Sequence, residues 1–253
     1  MDLFLKDKVA VVTGASKQRG NGRAIAITLA GEGCDIACVD VDIEGARKIA
    51  DEIKGMGRKA VAVSTDQSDP ARVKEGVKEV IKGLGKIDIL VNNAGVPSLG
   101  KIGKGQMPPW ETVVAIDLSG PYYWINETFG MMCERKWGRI INISSMAGVL
   151  GSFGQCSYAA SKGGLVSLAK TAALEGARHG VTANTVSLGT IATDMYDMIN
   201  PEMKERLSVR AAVRRPGTPQ DVGNIVAFLA SERANYITGA NIIVDGGMDL
   251  FVY

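Results

Sequence analysis

The sequence predicts a doubly wound α/β fold, one domain over residues 1–253 built on a seven-stranded parallel sheet. Three observations carry that expectation. Short β-branched runs alternate along the whole chain with longer segments of helical period. Several runs, among them Val9-Ala10-Val11-Val12 and Ile87-Asp88-Ile89-Leu90-Val91, are nearly continuously apolar, as strands covered by helices on both faces must be. The first run opens directly into a glycine-rich turn and then an Ala/Ile-rich helical stretch.

In chain order, Lys8–Val12 reads as the first strand and Gly22–Glu32 as the helix after the glycine turn. Asp35–Val39 is the second strand and Ile43–Met56 its helix, the apolar positions recurring at helical spacing. The β-branched run Lys59–Ser64 gives the third strand, followed by the helix Pro70–Leu84. Ile87–Asn92 is the fourth strand, and the long periodic stretch Trp110–Glu134 reads as one helix. Gly138–Ile143, with Ile140-Ile141-Asn142-Ile143, is the fifth strand, leading to the helix Ser157–Arg178. Thr182–Val186, the helix Pro219–Ser231 and the strand Asn241–Val244 complete the pattern. Ligands of such folds bind beyond the carboxyl ends of the strands.

Composition excludes several function classes. Of 253 residues, 46% are hydrophobic and 22% charged, and 31 are glycines, an ordinary globular chain rich in tight turns and long enough for a full core without disulfides. The net charge of +2, with basic and acidic residues interspersed, gives no electrostatic case for binding nucleic acid or a membrane surface. The first eight residues carry four charged side chains, Asp2, Lys6, Asp7 and Lys8, and no apolar signal region is expected there. The uncharged stretch from Ile140 to Ser161 holds five serines and three glycines, so no transmembrane helix is expected. Cys34, Cys38, Cys133 and Cys156 show no metal-ligand spacing and read as free thiols in a reducing, cytoplasmic setting.

The chemistry concentrates at strand ends. Gly14-Ala15-Ser16-Lys17-Gln18-Arg19-Gly20-Asn21-Gly22 lies where a strand meets a helix, so backbone and helix N–H groups can face a pyrophosphate. Asp40, at the end of strand two, can accept both ribose hydroxyls of adenosine and repels a 2′-phosphate, which favours NAD over NADP. Lys17 and Arg19 argue the other way, as partners for a 2′-phosphate, although they serve equally to neutralise a pyrophosphate. Tyr158 and Lys162 are four apart and share one face of a helix, where the ammonium can sit beside the phenol. His179 stands at a helix end without a partner cluster, and Trp110, Trp124 and Trp137 read as packing or interface residues.

Together, Thr13-Gly14, Asn92-Asn93-Ala94-Gly95, Ser145 and Tyr158-Ala159-Ala160-Ser161-Lys162 resemble the classical short-chain dehydrogenase/reductase family, in the right order and with Tyr158 thirteen positions after Ser145. The resemblance extends to Asp66, to Gly189–Thr193 and to Asp245-Gly246-Gly247, and so covers essentially the whole chain. It implies a small-molecule alcohol or ketone as substrate, NAD(H) as cofactor and a homotetramer whose contacts use the helices Trp110–Glu134 and Ser157–Arg178. Ser145 would hold the substrate oxygen and Tyr158 exchange its proton, while Lys162 favours the phenolate and bonds the nicotinamide ribose. Gly14, Ser16, Arg19, Gly20, Asn21 and Gly22 would cradle the pyrophosphate. Asp66 and Gln67 would flank adenine, Asn93, Ala94 and Gly95 line the adenosine side, and Gly189, Ile191 and Thr193 meet the carboxamide.

The departures are informative. The glycine motif has two extra residues between Gly14 and Gly20, and Leu188-Gly189 stands where the family has Pro-Gly. Asp117 occupies the place of an Asn that completes the family's proton relay, facing Lys162 through a water; a carboxylate accepts but cannot donate. Asp117 thus joins Ser145, Tyr158 and Lys162 as a candidate catalytic residue. Enoyl reductases of this kind place the lysine seven positions after the tyrosine, where this chain has Leu165. A ketoreductase of an acyl thioester and a non-catalytic dinucleotide sensor remain as alternatives. Residues 192–215 are expected to form a substrate lid mixing Met195, Tyr196, Met198 and Ile199 with Arg206, Arg210, Arg214 and Arg215, with Val149, Leu150 and Phe153 as a second wall. That wall suits an apolar or cyclic alcohol, with sugars, hydroxysteroids and hydroxyacyl thioesters left open.

Overall fold

The computed structural model describes residues 2–250. Seven strands, β1 (Val9–Thr13), β2 (Asp35–Asp40), β3 (Ala60–Ser64), β4 (Ile89–Asn92), β5 (Gly138–Ser145), β6 (Val181–Leu188) and β7 (Asn241–Val244), form one sheet in the order β3-β2-β1-β4-β5-β6-β7. Every pairing is parallel, as the sequence predicts. The apolar runs are buried because helices cover both faces. α1 (Asn21–Gly31), α2 (Ile43–Gly55) and α10 (Pro219–Ala230) pack Ile25, Ile49 and Val226 on one side. α3 (Pro70–Leu84), α5 (Gly120–Glu134) and α7 (Cys156–Gly176) pack Val77, Trp124 and Ala173 on the other. The order of strands reverses between β1 and β4, and the crevice opens there, beyond their carboxyl ends.

The single helix expected over residues 110–134 is interrupted. α4 (Trp110–Val114) runs into a π-helical turn, Ala115–Ser119, before α5 begins. Pro121 supplies the reason: it has no N–H to donate to the carbonyl four residues back, so the regular ladder cannot pass through Asp117. The widened turn carries Asp117 inward. The expected lid is also more ordered than its polar composition indicates. It contains α8 (Asp194–Asp197) and α9 (Pro201–Arg210), the latter capped by Asn200, whose side chain accepts the Met203 N–H, and followed by Ala211. A further short helix, α6 (Ala147–Leu150), links β5 to α7. Among the described residues no helix is long and apolar enough to cross a membrane. All four cysteines are free, and burial pushes the Cys34 and Cys38 thiols up to about 12.

Candidate active site

The glycine turn is shaped by close approach. Gly14 has φ +70°, and a Cβ on Gly22 would lie 2.1 Å from the Gly14 carbonyl oxygen, so neither position has room for a side chain. Asn93 braces this turn by donating its amide to the Thr13 carbonyl at 2.8 Å and the Gly14 carbonyl at 3.2 Å. Thr13 Oγ1 accepts the N–H groups of Asn93 and Ala94, each at 3.0 Å, which locks the end of β1 to the end of β4. α1 then starts at Gly20 with no side-chain cap and no acid in its first turn, and the buried Oδ1 of Asn21 has no hydrogen-bond partner among the described residues. An uncapped helix start facing a cleft is suited to an anionic ligand. Gly22→Ala is expected to destabilise the fold by about 1–3 kcal/mol, from overpacking against backbone, and to abolish NADH binding. Thermal unfolding and NADH fluorescence titration check both.

Three adjoining clefts run along the strand ends. The first is lined by Ser16, Asp40, Thr65, Asp66, Gln67 and Ala94. The second holds Gly20, Asn21, Gly22, Tyr158, Lys162, Gly189, Ile191 and Thr193, and the two share Gly14, Asn93 and Gly95. The third continues past Ser145, Leu188 and Gly189, which it shares with the second. Both cations of the glycine turn are paired with carboxylates. Arg19, expected against the pyrophosphate, lies instead on Asp197 of α8 at 2.5 Å, because that exposed carboxylate faces it across the cleft mouth. Lys17 pairs with Asp42 at 3.2 Å, and Asp42 is held below the usual carboxylate range by the Gly45 N–H and then by Lys17. Asp40 accepts the Asp42 N–H at 3.0 Å. Gln67 is 6% exposed and donates to the Ile116 carbonyl at 2.7 Å, tying the π turn to the first cleft.

Tyr158 and Lys162 do share a face of α7: Lys162 Nζ lies 5.5 Å from the centre of the tyrosine ring. Ser145, at the end of β5, accepts the Ala147 N–H at 3.2 Å, and Ser144 donates to the Lys162 carbonyl at 2.8 Å, fixing the start of α7 against β5. Lys162 is almost wholly buried. Its ammonium sits 3.3 Å from Asp117 Oδ2 and donates to the Ile143 carbonyl at 3.3 Å. The ion pair is direct, so the water expected between them has no place on that path. Asp117, at 0% exposure, also accepts the Val96 N–H through Oδ1 at 2.8 Å. Burial pushes the Asp117 carboxyl up against the pull of Lys162. Burial likewise opposes the charge of Lys162, but Asp117 and then Tyr158 outweigh it and hold the lysine above its ordinary value.

Val96, Pro97, Asp194 and Met195 also line the central cleft, and no motif or spacing in the chain singles out the first three. The signal for the α8–α9 segment was present in Asn200-Pro201-Glu202, a cap followed by a proline in the first turn. Cys156 is half-buried, Trp124 is fully buried, and Trp137 donates its indole N–H to Glu232 at 2.6 Å.

A family model described as Enoyl-(Acyl carrier protein) reductase matches residues 14–249. The 3-oxoacyl-[acyl-carrier-protein] reductase FabG of Staphylococcus aureus is 40% identical over 245 residues, covering 95% of this chain and 98% of that protein. A proposed gluconate dehydrogenase from Agrobacterium tumefaciens superposes with a TM-score of 0.94 at 30% identity, over 100% of both chains. A proposed short-chain alcohol dehydrogenase from Sinorhizobium meliloti 1021 superposes at 0.93 with 31% identity, again over 100% of both.

Proposed function

The chain belongs to the short-chain dehydrogenase/reductase family of oxidoreductases, and from that premise we propose that it interconverts a secondary alcohol and a ketone with NAD(H), Tyr158 serving as acid and base. The observation that carries this reading is the placement of Tyr158 beside a buried ammonium, in a cleft that Ser145 also lines. The bound dinucleotide would supply or accept the hydride. Ser145 holds the substrate oxygen, and Tyr158 gives that oxygen a proton in reduction and removes it in oxidation. Lys162 orients the phenol by charge and reaches the ribose side of the cleft, while Asp117 holds Lys162.

The residues present fit such a cofactor. Gly14 and Gly22 let the turn pack closely on itself and on Asn93 and Ala94, which sets the uncapped start of α1, with its free N–H groups, at the cleft where a pyrophosphate would lie. Gly20 belongs to the same cradle, with Asp66, Gln67, Asn93, Ala94 and Gly95 towards the adenosine and Gly189, Ile191 and Thr193 towards the carboxamide. NAD is favoured over NADP because both nearby cations, Lys17 and Arg19, are already paired with carboxylates, while Asp40 and Asp66 line the adenosine side. Asp40→Ser is expected to lower the NAD:NADP ratio of kcat/KM by about tenfold or more, through relief of like-charge repulsion. If the wild type already prefers NADP, Asp40 does not set the choice. The lid over residues 192–215, a homotetramer and a cytoplasmic setting belong to the same proposal.

A second reading, a ketoreductase of an acyl thioester, is favoured by the 40% identity to a 3-oxoacyl reductase. Enoyl reduction is not: Leu165, where that chemistry places its lysine, is a core residue 1% exposed. A panel of secondary alcohols, ketones and 3-oxoacyl thioesters followed by NADH and NADPH absorbance separates the readings. Tight NADH binding with no turnover of any of them would make the chain a dinucleotide sensor.

A further inference from the structure

The third cleft, about 190 Å³ in all, is lined by Ser145, Leu188 and Gly189, which it shares with the central cleft, and by Leu207 and Arg210 of α9. Met146, Leu150, Leu207 and Met248 make its apolar wall, and among the described residues Arg210, the last residue of α9, is its one charged lining residue and none is acidic. The neighbouring arginines are engaged. Arg206 pairs with Glu202 at 2.8 Å, Arg214 donates to the Val209 carbonyl at 3.1 Å, and Arg215 donates to the Pro216 carbonyl at 3.1 Å. Among the described residues Arg210 has neither an acidic partner nor a hydrogen-bond acceptor. Ser152 and Gln155, polar side chains of the same lining, bond to each other at 2.6 Å through the Gln155 carbonyl oxygen, which leaves the Gln155 amide hydrogens as a second donor.

A cavity that begins at the residue holding the reacting oxygen receives the substituent of the reacting carbon. At about 30 Å³ per water, 190 Å³ corresponds to roughly six waters, room for a short chain and a polar end group. A positive, forked donor lining an otherwise apolar space selects an oxyanion. We propose that this protein takes secondary alcohols and ketones with an anionic group on the substituent that leaves through this cavity, and that Arg210 binds that group. The inference rests on the oxidoreductase reading above. Arg210 is exposed as well as lining the cavity, so the anion is either a carboxylate close to the reacting carbon, bound inside, or the phosphate of a thioester carrier whose long arm leaves the cavity and meets the outer side of Arg210 past α9.

The test compares matched charged and neutral substrates in wild type, Arg210→Gln and Arg210→Lys. One pair is 3-hydroxybutyrate and its methyl ester; the other is 3-oxobutanoyl-coenzyme A and the neutral N-acetylcysteamine thioester. The wild type is expected to prefer the charged member of one pair, which identifies the anion's source. Arg210→Gln should lower the charged-to-neutral ratio of kcat/KM by about tenfold to a hundredfold, mainly through KM, and Arg210→Lys should recover part of it. Equal use of both members of both pairs, or a ratio that Arg210→Gln leaves unchanged, overturns the proposal. Should no compound turn over, the oxidoreductase reading fails by itself, and calorimetric titration with 3-hydroxybutyrate and 3-oxobutanoyl-coenzyme A still decides about Arg210. Binding weakened by Arg210→Gln supports the proposal; binding absent from the wild type or indifferent to the substitution overturns it.

Discussion

Tyr158→Phe is expected to lower kcat by about a thousandfold, while NADH affinity stays within a few-fold of wild type. The substitution keeps the aromatic ring that packs near Lys162 and removes only the hydroxyl that exchanges a proton with substrate, a step whose loss typically lowers the rate by about 10²–10⁴. Since that interaction forms in the chemical step, kcat and kcat/KM should fall together with little change in KM. Steady-state kinetics with the best substrate of the panel, beside an NADH fluorescence titration, measures both. Turnover near the wild-type rate would remove Tyr158 from the acid/base role and return the cleft to a binding function.

Much of this architecture is legible in the chain because the sheet is buried on both faces. Strands such as Ile140-Ile141-Asn142-Ile143 cannot be mistaken for half-exposed ones, and α2 and α3 carry clear apolar stripes, Ala46, Ile49 and Ile53 on the first and Val73, Val77 and Val80 on the second. Tyr158 and Lys162 are legible for a similar reason: four residues of regular helix fix their relation without knowledge of the rest. What eluded the sequence depends on contacts between distant segments. Arg19 meets Asp197 across 178 positions, and local charge near the glycine turn pointed to a phosphate instead. α9 has no buried residue, so its hydrophobic pattern is silent and only its cap announces it. Pro121 lies inside the stretch read as one helix and breaks its ladder, and the inward turn of Asp117 depends besides on the packing of α4 and the π turn against α7, which no local pattern announces.

That inward turn creates the buried ion pair on which the second large effect rests. Lys162→Met leaves the Asp117 carboxylate without its cation at 0% exposure, and breaking a buried pair by removing one partner costs about 3–5 kcal/mol, so Tm should fall by roughly 10 °C. Asp117→Asn keeps an oxygen to accept the Val96 N–H but strands the ammonium, a loss of the same kind. The double variant removes both charges, and its destabilisation should be smaller than the two single effects together. The pair's pH dependence has a definite sign. Lys162 is held above its ordinary 10.5, first against burial and by Asp117, so its contribution is complete below that value and is lost as pH rises through the higher folded value.

In the proposed mechanism the same carboxylate acts through Lys162. It holds the ammonium beside the Tyr158 ring above its ordinary value, so the lysine keeps its proton to higher pH than it would beside a neutral side chain. In the Asp117→Asn variant the rising limb of kcat against pH for alcohol oxidation should move to lower pH, while the Tyr158→Phe rate stays low at every pH. A shifted limb together with a non-additive stability cycle identifies Asp117 as a positioning residue acting through Lys162. Coincident pH profiles with the stability coupling intact would leave it as the structural partner of a buried lysine, and additive stabilities would deny the pair altogether.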